Sequence, residues 1–216
     1  RQPDLVAGDR WPIGRRSRDE HLTHPDMPSP LRLRLERAAL VGNWRWLAAR
    51  SGGAACGAAI KADGYGLGAR AVMAALGDVP AGATLSVLHG IRPEDMAVAT
   101  RINARPVLNT AVQVALWRET GRPCDIMIDT GMNRLGLGAA DVAGGVLAGL
   151  EVDTLMSHLA CAEDDSAMNL RQLAAFRAIA APARRRSLAN SAGICLGGDY
   201  AFDLTRPGLA LYGGVP

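Results

Sequence analysis

The sequence predicts a parallel α/β fold, and within that class a TIM-type (β/α)8 barrel that falls one βα unit short. Three observations carry this. Short apolar runs alternate with alanine-rich, helix-like segments at intervals of about 20–30 residues, the rhythm of βαβ units and of a parallel sheet. The runs read as continuously apolar, as strands covered on both faces do. Residues with chemistry to offer stand at the C-terminal ends of those runs, where open doubly wound sheets and barrels both collect ligands. No run is followed by G-x-G-x-x-G, because Gly64, Gly66 and Gly68 have the wrong spacing, and no Walker A sequence exists. A nucleotide-binding open sheet therefore loses ground to the barrel.

Residues 1–30 hold five of the twelve prolines and five arginines without apolar periodicity, and read as a disordered extension. They lack the apolar stretch of a secretory signal, and His21 and His24 lack the further ligands of a metal site. Residues 31–216 are the expected barrel domain. Leu31, Leu33 and Leu35 alternate with Arg32, Arg34 and Glu36, which predicts a short strand. Leu40, Val41, Trp44, Leu47 and Ala48 follow helical spacing, and Ser51-Gly52-Gly53 stops that helix. Seven strands are then expected, at Ala55–Lys61, Thr84–Leu88, Arg105–Leu108, Asp125–Asp129, Thr154–His158, Ser187–Ala189 and Leu209–Tyr212. Helices are expected at Ala69–Leu76, Pro93–Thr100, Ala111–Glu119 (Thr110 as N-cap), Ala140–Leu150 and Ala167–Ala181 (Ser166 as N-cap).

Composition excludes several function classes. A net charge of +3 on 216 residues is too small to argue for nucleic acid or a membrane surface. No apolar run reaches the length of a membrane span. Cys56, Cys124, Cys161 and Cys195 are widely spaced, with no C-x-x-C pair, so free thiols in a reducing cytoplasm are expected and a zinc site is not. Of the 24 basic residues 23 are arginine, and the single lysine is Lys61. Arginine cannot replace a lysine whose deprotonated amine is needed.

Five clusters carry candidate chemistry. Lys61 ends an apolar run, where desolvation lowers an amine's pKa, and Tyr65 follows between glycines. Asp129-Thr130-Gly131-Met132-Asn133-Arg134-Leu135-Gly136 offers an arginine on a glycine-bent loop. His158 stands at a strand end in Ser157-His158-Leu159-Ala160. Asn190 and Ser191, with small neighbours in Ala189-Asn190-Ser191-Ala192-Gly193, let backbone amides approach a phosphate. Arg206 is followed by Pro207, Gly208 and Leu209, which expose backbone beside a permanent cation.

Together with Lys61-Ala62-Asp63-Gly64-Tyr65-Gly66 and Arg206-Pro207-Gly208-Leu209-Ala210-Leu211-Tyr212-Gly213, and in this order, the clusters resemble the alanine racemases, enzymes of the fold type III barrel group that use pyridoxal 5'-phosphate (PLP). The resemblance spans about residue 31 to Pro216. It implies a cytoplasmic isomerase that supplies D-alanine for peptidoglycan and forms a homodimer. It implies that Lys61 makes the Schiff base with PLP and moves the α-proton on one face. Tyr65, Ser191 and the backbone at Gly208 and Leu209 would hold the phosphate, with Asn190 beside them. Arg206 would face the pyridine nitrogen, supported by His158, and Arg134 would sit by the cofactor's phenolic oxygen and the substrate carboxylate.

The sequence departs from the family in three places. The family's C-terminal β-domain and its second catalytic base, a tyrosine, should follow the barrel, and neither Tyr200 nor Tyr212 matches that base. The interval from Lys61 to Thr84 holds one helix where a helix, a strand and another helix are implied, placing the missing strand near Gly77–Pro80. Met127 occupies the position at which some members carry a carbamylated lysine. A fragment with weak or no activity of its own is therefore expected. A racemase for another amino acid and a non-catalytic PLP-binding module are the alternatives.

Overall fold

The computed structural model describes residues 34–77, 84–102 and 104–216. The strands among the described residues are β1 (Ala55–Cys56), β2 (Leu85–Val87), β3 (Ala104–Leu108), β4 (Cys124–Met127), β5 (Val152–Met156), β6 (Arg185–Ser187) and β7 (Leu204–Thr205). The α-helices among the described residues are α1 (Arg37–Arg50), α2 (Lys61–Tyr65), α3 (Ala69–Leu76), α4 (Met96–Ala99), α5 (Ala111–Arg118), α6 (Ala139–Ala143), α7 (Ala167–Ala178) and α8 (Ser191–Cys195).

Strand pairing decides the architecture. β2 to β6 pair in chain order, every pair parallel. Beyond β6 the amide of Asp203 donates to Arg186 O and that of Arg206 to Ala189 O, which seats β7 alongside. β7 then pairs with β1, Ala55 opposite Leu204. A last strand returning to the first is what a barrel does and an open doubly wound sheet does not. The ring is interrupted between β1 and β2, which are not paired among the described residues. Gly77 there is the C-cap of α3 at φ +69°, and the rest of the expected strand position lies outside the described residues. The disordered extension expected at residues 1–30 lies outside them too.

The helices form where caps and breakers direct them. Thr110 accepts from the amide of Gln113 to start α5, and Ser166 accepts from Met168 to start α7, as expected. Leu47, Trp117, Phe176, Ile126 and Leu155 are fully buried between helices and sheet. Inside the ring a smaller cluster of Val107, Met127 and Met156, backed by Leu88, forms an apolar layer.

Several expected elements are corrected. Of the strand expected at Leu31–Leu35, residues 31–33 lie outside the described residues, and Leu35 is irregular chain leading into α1 and packing on the core. Leu209–Tyr212 is a 3-10 turn, because its amides are drawn off: those of Gly208 and Ala210 donate to Ser191 Oγ (3.0 and 3.1 Å). The strand lies just before it, at β7. The helix expected over Ala140–Leu150 is cut to Ala139–Ala143 by Gly144-Gly145, with Gly145 at φ +81°. Nor are the strands apolar throughout. Arg105, Asp125, Asp153 and Arg185 lie in the N-terminal parts of β3 to β6, where their charges neutralise one another.

Candidate active site

Each functional side chain stands just past the C-terminal end of a strand, on a loop whose bend is built in. After β1 the chain extends through Ala59, whose amide donates to Pro207 O (2.9 Å), and then turns at α2. That turn is left-handed: Ala62, Asp63, Gly64 and Tyr65 have φ of 52°, 52°, 64° and 57°. Such backbone costs roughly 1–2 kcal/mol at each non-glycine residue. Asp63 holds it, its Oδ1 accepting from the amide of Ala69 (2.7 Å) and its carbonyl from that of Gly68 (2.8 Å). The result places Lys61 Nζ 5.8 Å from the centre of the Tyr65 ring, which in turn packs on Tyr212 at 4.6 Å between centroids. Tyr212 is anchored by its hydroxyl, which donates to Ala59 O (2.9 Å).

Arg134 rides on the loop between β4 and α6. Asp129 Oδ1 accepts from the amides of Gly131 (2.8 Å) and Asn133 (3.1 Å), and the chain rejoins β4 where Leu137 N donates to Met127 O (2.9 Å). Gly136, at φ +125°, is obligatory there: a Cβ would stand 2.5 Å from Asp129 N. Met127 lies beneath this loop in the apolar layer and offers Arg134 no charge. Arg206 is held by donating to Ser187 Oγ (2.8 Å), Leu188 O (3.3 Å) and Ser157 O. Ser157 and Ser187, which sequence reasoning missed as supports, thus seat Arg206.

The structure gathers the expected residues into two groups. Lys61, Arg134, His158 and Arg206 share one electrostatic site: burial, then Arg134 and Arg206, depress the Lys61 amine. Burial, then Arg206, Arg134 and Lys61, drives the His158 imidazole down to about 3. Burial lowers Arg206 to about 10, opposed by the charge of Asp125, and leaves it a cation at pH 7. Tyr65, Ser191 and Gly208 form the second group. A Cβ on Gly208 would stand 2.1 Å from Tyr65 Oη, while Gly208 N is 3.0 Å from Ser191 Oγ. Asn190 serves as N-cap of α8, accepting from Gly193 N (2.8 Å), and Leu209 is 53% exposed.

The comparisons with known proteins converge. The family model described as "Alanine racemase, N-terminal domain" matches residues 78–216. The chain belongs to the alanine racemase family. An alanine racemase of Methylobacterium nodulans is 41% identical over 86% of this chain and 59% of its own length. A biosynthetic alanine racemase of Agrobacterium fabrum is 40% identical over 86% of the chain and 56% of its own. Among solved structures, the alanine racemase of Bartonella henselae with covalently bound pyridoxal phosphate superposes with TM-score 0.76 at 31% identity, covering 83% of this chain and 59% of that one. The chain thus spans under three fifths of these relatives, and its fold is the barrel of the family's N-terminal domain.

Charge distinguishes this site. Among the described residues no ion pair involves Lys61, Arg134 or Arg206, and Asp129 spends its carboxylate on loop amides. A cluster of cations and donors with no carboxylate in ion-pair contact suits a doubly anionic ligand. No group of three or more His, Cys, Asp or Glu able to hold a metal is found among the described residues, and none of their helices is long and apolar enough to cross a membrane.

Proposed function

We propose that this chain holds PLP for the interconversion of L-alanine and D-alanine, the D-alanine serving peptidoglycan. The carrying observation is that the chain's single lysine, its amine depressed, stands in the same site as Arg134, His158 and Arg206. The residues present fit the cofactor: a nucleophilic amine, a buried cation, and a glycine whose missing Cβ leaves room for Tyr65 Oη beside Ser191.

When bound, PLP supplies an electron sink that acidifies the α-hydrogen of an amino acid. Lys61 supplies the amine that holds the cofactor and takes the α-proton on one face. Arg206 would face the ring nitrogen, and because a guanidinium keeps its proton, it would leave that nitrogen unprotonated and moderate the sink. Such moderation favours returning the proton to the same carbon. Tyr65, Ser191 and the amide of Leu209 offer donors to the phosphate, with Gly208 giving them room. Arg134 binds the substrate carboxylate. His158, neutral at working pH, would lie against the cofactor without adding charge. Tyr212 is given no proton-transfer role, since its hydroxyl is engaged with Ala59 O and burial pushes it up to about 12.

Titrating the chain with PLP tests this reading. A visible absorption band that Lys61→Ala abolishes, and D-alanine formed from L-alanine in a chiral assay of the protein joined to its family's second domain, are expected. Absence of the band with the unaltered chain would overturn it.

A further inference from the structure

Gln172, on α7, is fully buried, yet its whole amide is spent on two loops of the site. Its Oε1 accepts from the amide of Ala160 (2.8 Å), and its Nε2 donates to His158 O (2.9 Å) and to Thr130 Oγ1 (3.2 Å). The opposite amide orientation would set N–H against N–H and oxygen against oxygen. Thr130 Oγ1 shares a hydrogen bond with Ser157 Oγ (2.7 Å), and the Ser157 carbonyl accepts from Arg206. One side chain from the outer helix layer therefore joins the loop carrying Arg134, the loop carrying His158 and the seat of Arg206.

We propose that Gln172 is a positioning residue that fixes the spacing of the Arg134 and His158 loops and, through Thr130 and Ser157, the seat of Arg206. No apolar residue can take its place without cost. A methionine of similar length would leave the Ala160 amide, the His158 carbonyl and the Thr130 hydroxyl each short of a partner, and unpaired buried polar groups move toward water. As a claim about PLP this rests on the function proposed above; as a claim about loop order it does not.

Four variants of the 216-residue chain test it: Gln172→Met, Thr130→Val, Thr130→Ser, and Asn169→Ala as control. Asn169 is buried on the same helix, but its amide donates to Asp164 O (3.0 Å), outside the network. Gln172→Met is expected to raise the PLP dissociation constant at least tenfold and to speed hydrogen exchange of the Ala160 amide at least tenfold. Thr130→Val should act in the same direction and non-additively with Gln172→Met, while Thr130→Ser retains more affinity than Thr130→Val. Asn169→Ala should lower Tm and leave the dissociation constant within twofold. A Gln172→Met chain with affinity and Ala160 exchange within twofold of the unaltered protein would overturn the proposal. So would an Asn169→Ala chain that loses as much affinity for the same loss of Tm. If Gln172→Met does not fold, the Thr130 pair decides, with equal affinities counting against the proposal. If the unaltered chain binds no PLP, the functional reading fails and the exchange data alone decide whether Gln172 orders the loops.

Discussion

The two ends of the barrel interior are both charged, and they use charge in opposite ways. At the N-terminal ends of the strands, Arg105 lies 3.3 Å from Asp125 and 3.0 Å from Asp153, and Arg185 pairs with Asp153. Asp125 also accepts from Ser86 Oγ (2.6 Å) and from the amide of Thr154 (3.1 Å). Two cations meet two anions, and the end is self-neutralised. At the C-terminal ends Lys61, Arg134 and Arg206 crowd a neutral His158, and among the described residues none of the three is in ion-pair contact with a carboxylate. The apolar layer of Val107, Met127 and Met156 separates the two. One fold thus stores charge for stability at one end and for a ligand at the other, and substitutions should divide accordingly.

The largest effect is expected at the ligand end. Lys61→Arg keeps the charge but removes the nucleophilic amine, so the visible band with PLP should vanish altogether in an absorbance titration. Next comes the neutralised end: Asp125→Ala leaves Arg105 buried with one carboxylate partner fewer and should cost about 3–5 kcal/mol in urea denaturation. Arg134→Ala, which breaks no ion pair, should by contrast change the stability of the ligand-free chain by less than about 0.5 kcal/mol. Equal losses at the two ends would break the comparison.

A pH effect of intermediate size belongs to His158. Burial and three neighbouring cations keep its imidazole neutral until about pH 3, whereas an unfolded histidine takes up a proton near 6.5. Between those values the unfolded state binds more protons, so stability is full above 6.5 and falls as pH falls. The loss should reach about 2 kcal/mol by pH 5, read from denaturation midpoints, and His158→Gln should remove that dependence. A milder loss than at Asp125 or His158 is expected from Gly208→Ala, whose Cβ meets the movable tip of Tyr65. It should cost about 1 kcal/mol in stability, and less in a Tyr65→Phe background, where the hydroxyl is gone.

Much of this was legible in the sequence because it depends on local pattern. Apolar runs marked six of the seven strands, Thr110 and Ser166 announced their helices, and five motifs placed the candidate residues at strand ends. What was hidden depends on contacts far apart in the chain. The left-handed turn at Ala62–Tyr65 carries one glycine in four residues, and it is sustained by Asp63 reaching Ala69. The 3-10 turn at Leu209–Tyr212 follows from amides claimed by Ser191, seventeen and nineteen residues earlier. Arg105, Asp125, Asp153 and Arg185 looked like interruptions of strands, because their partners come from neighbouring strands. Gln172 gave no signal, since one glutamine in a helix reads as surface until its buried partners are known.

Borohydride reduction of the PLP-treated chain, followed by mass mapping of the adduct, locates the amine that holds the cofactor. One pyridoxyl adduct is expected, on the peptide containing Lys61 and lost in Lys61→Arg. No adduct, or an adduct confined to the terminal amine of Arg1, would contradict it.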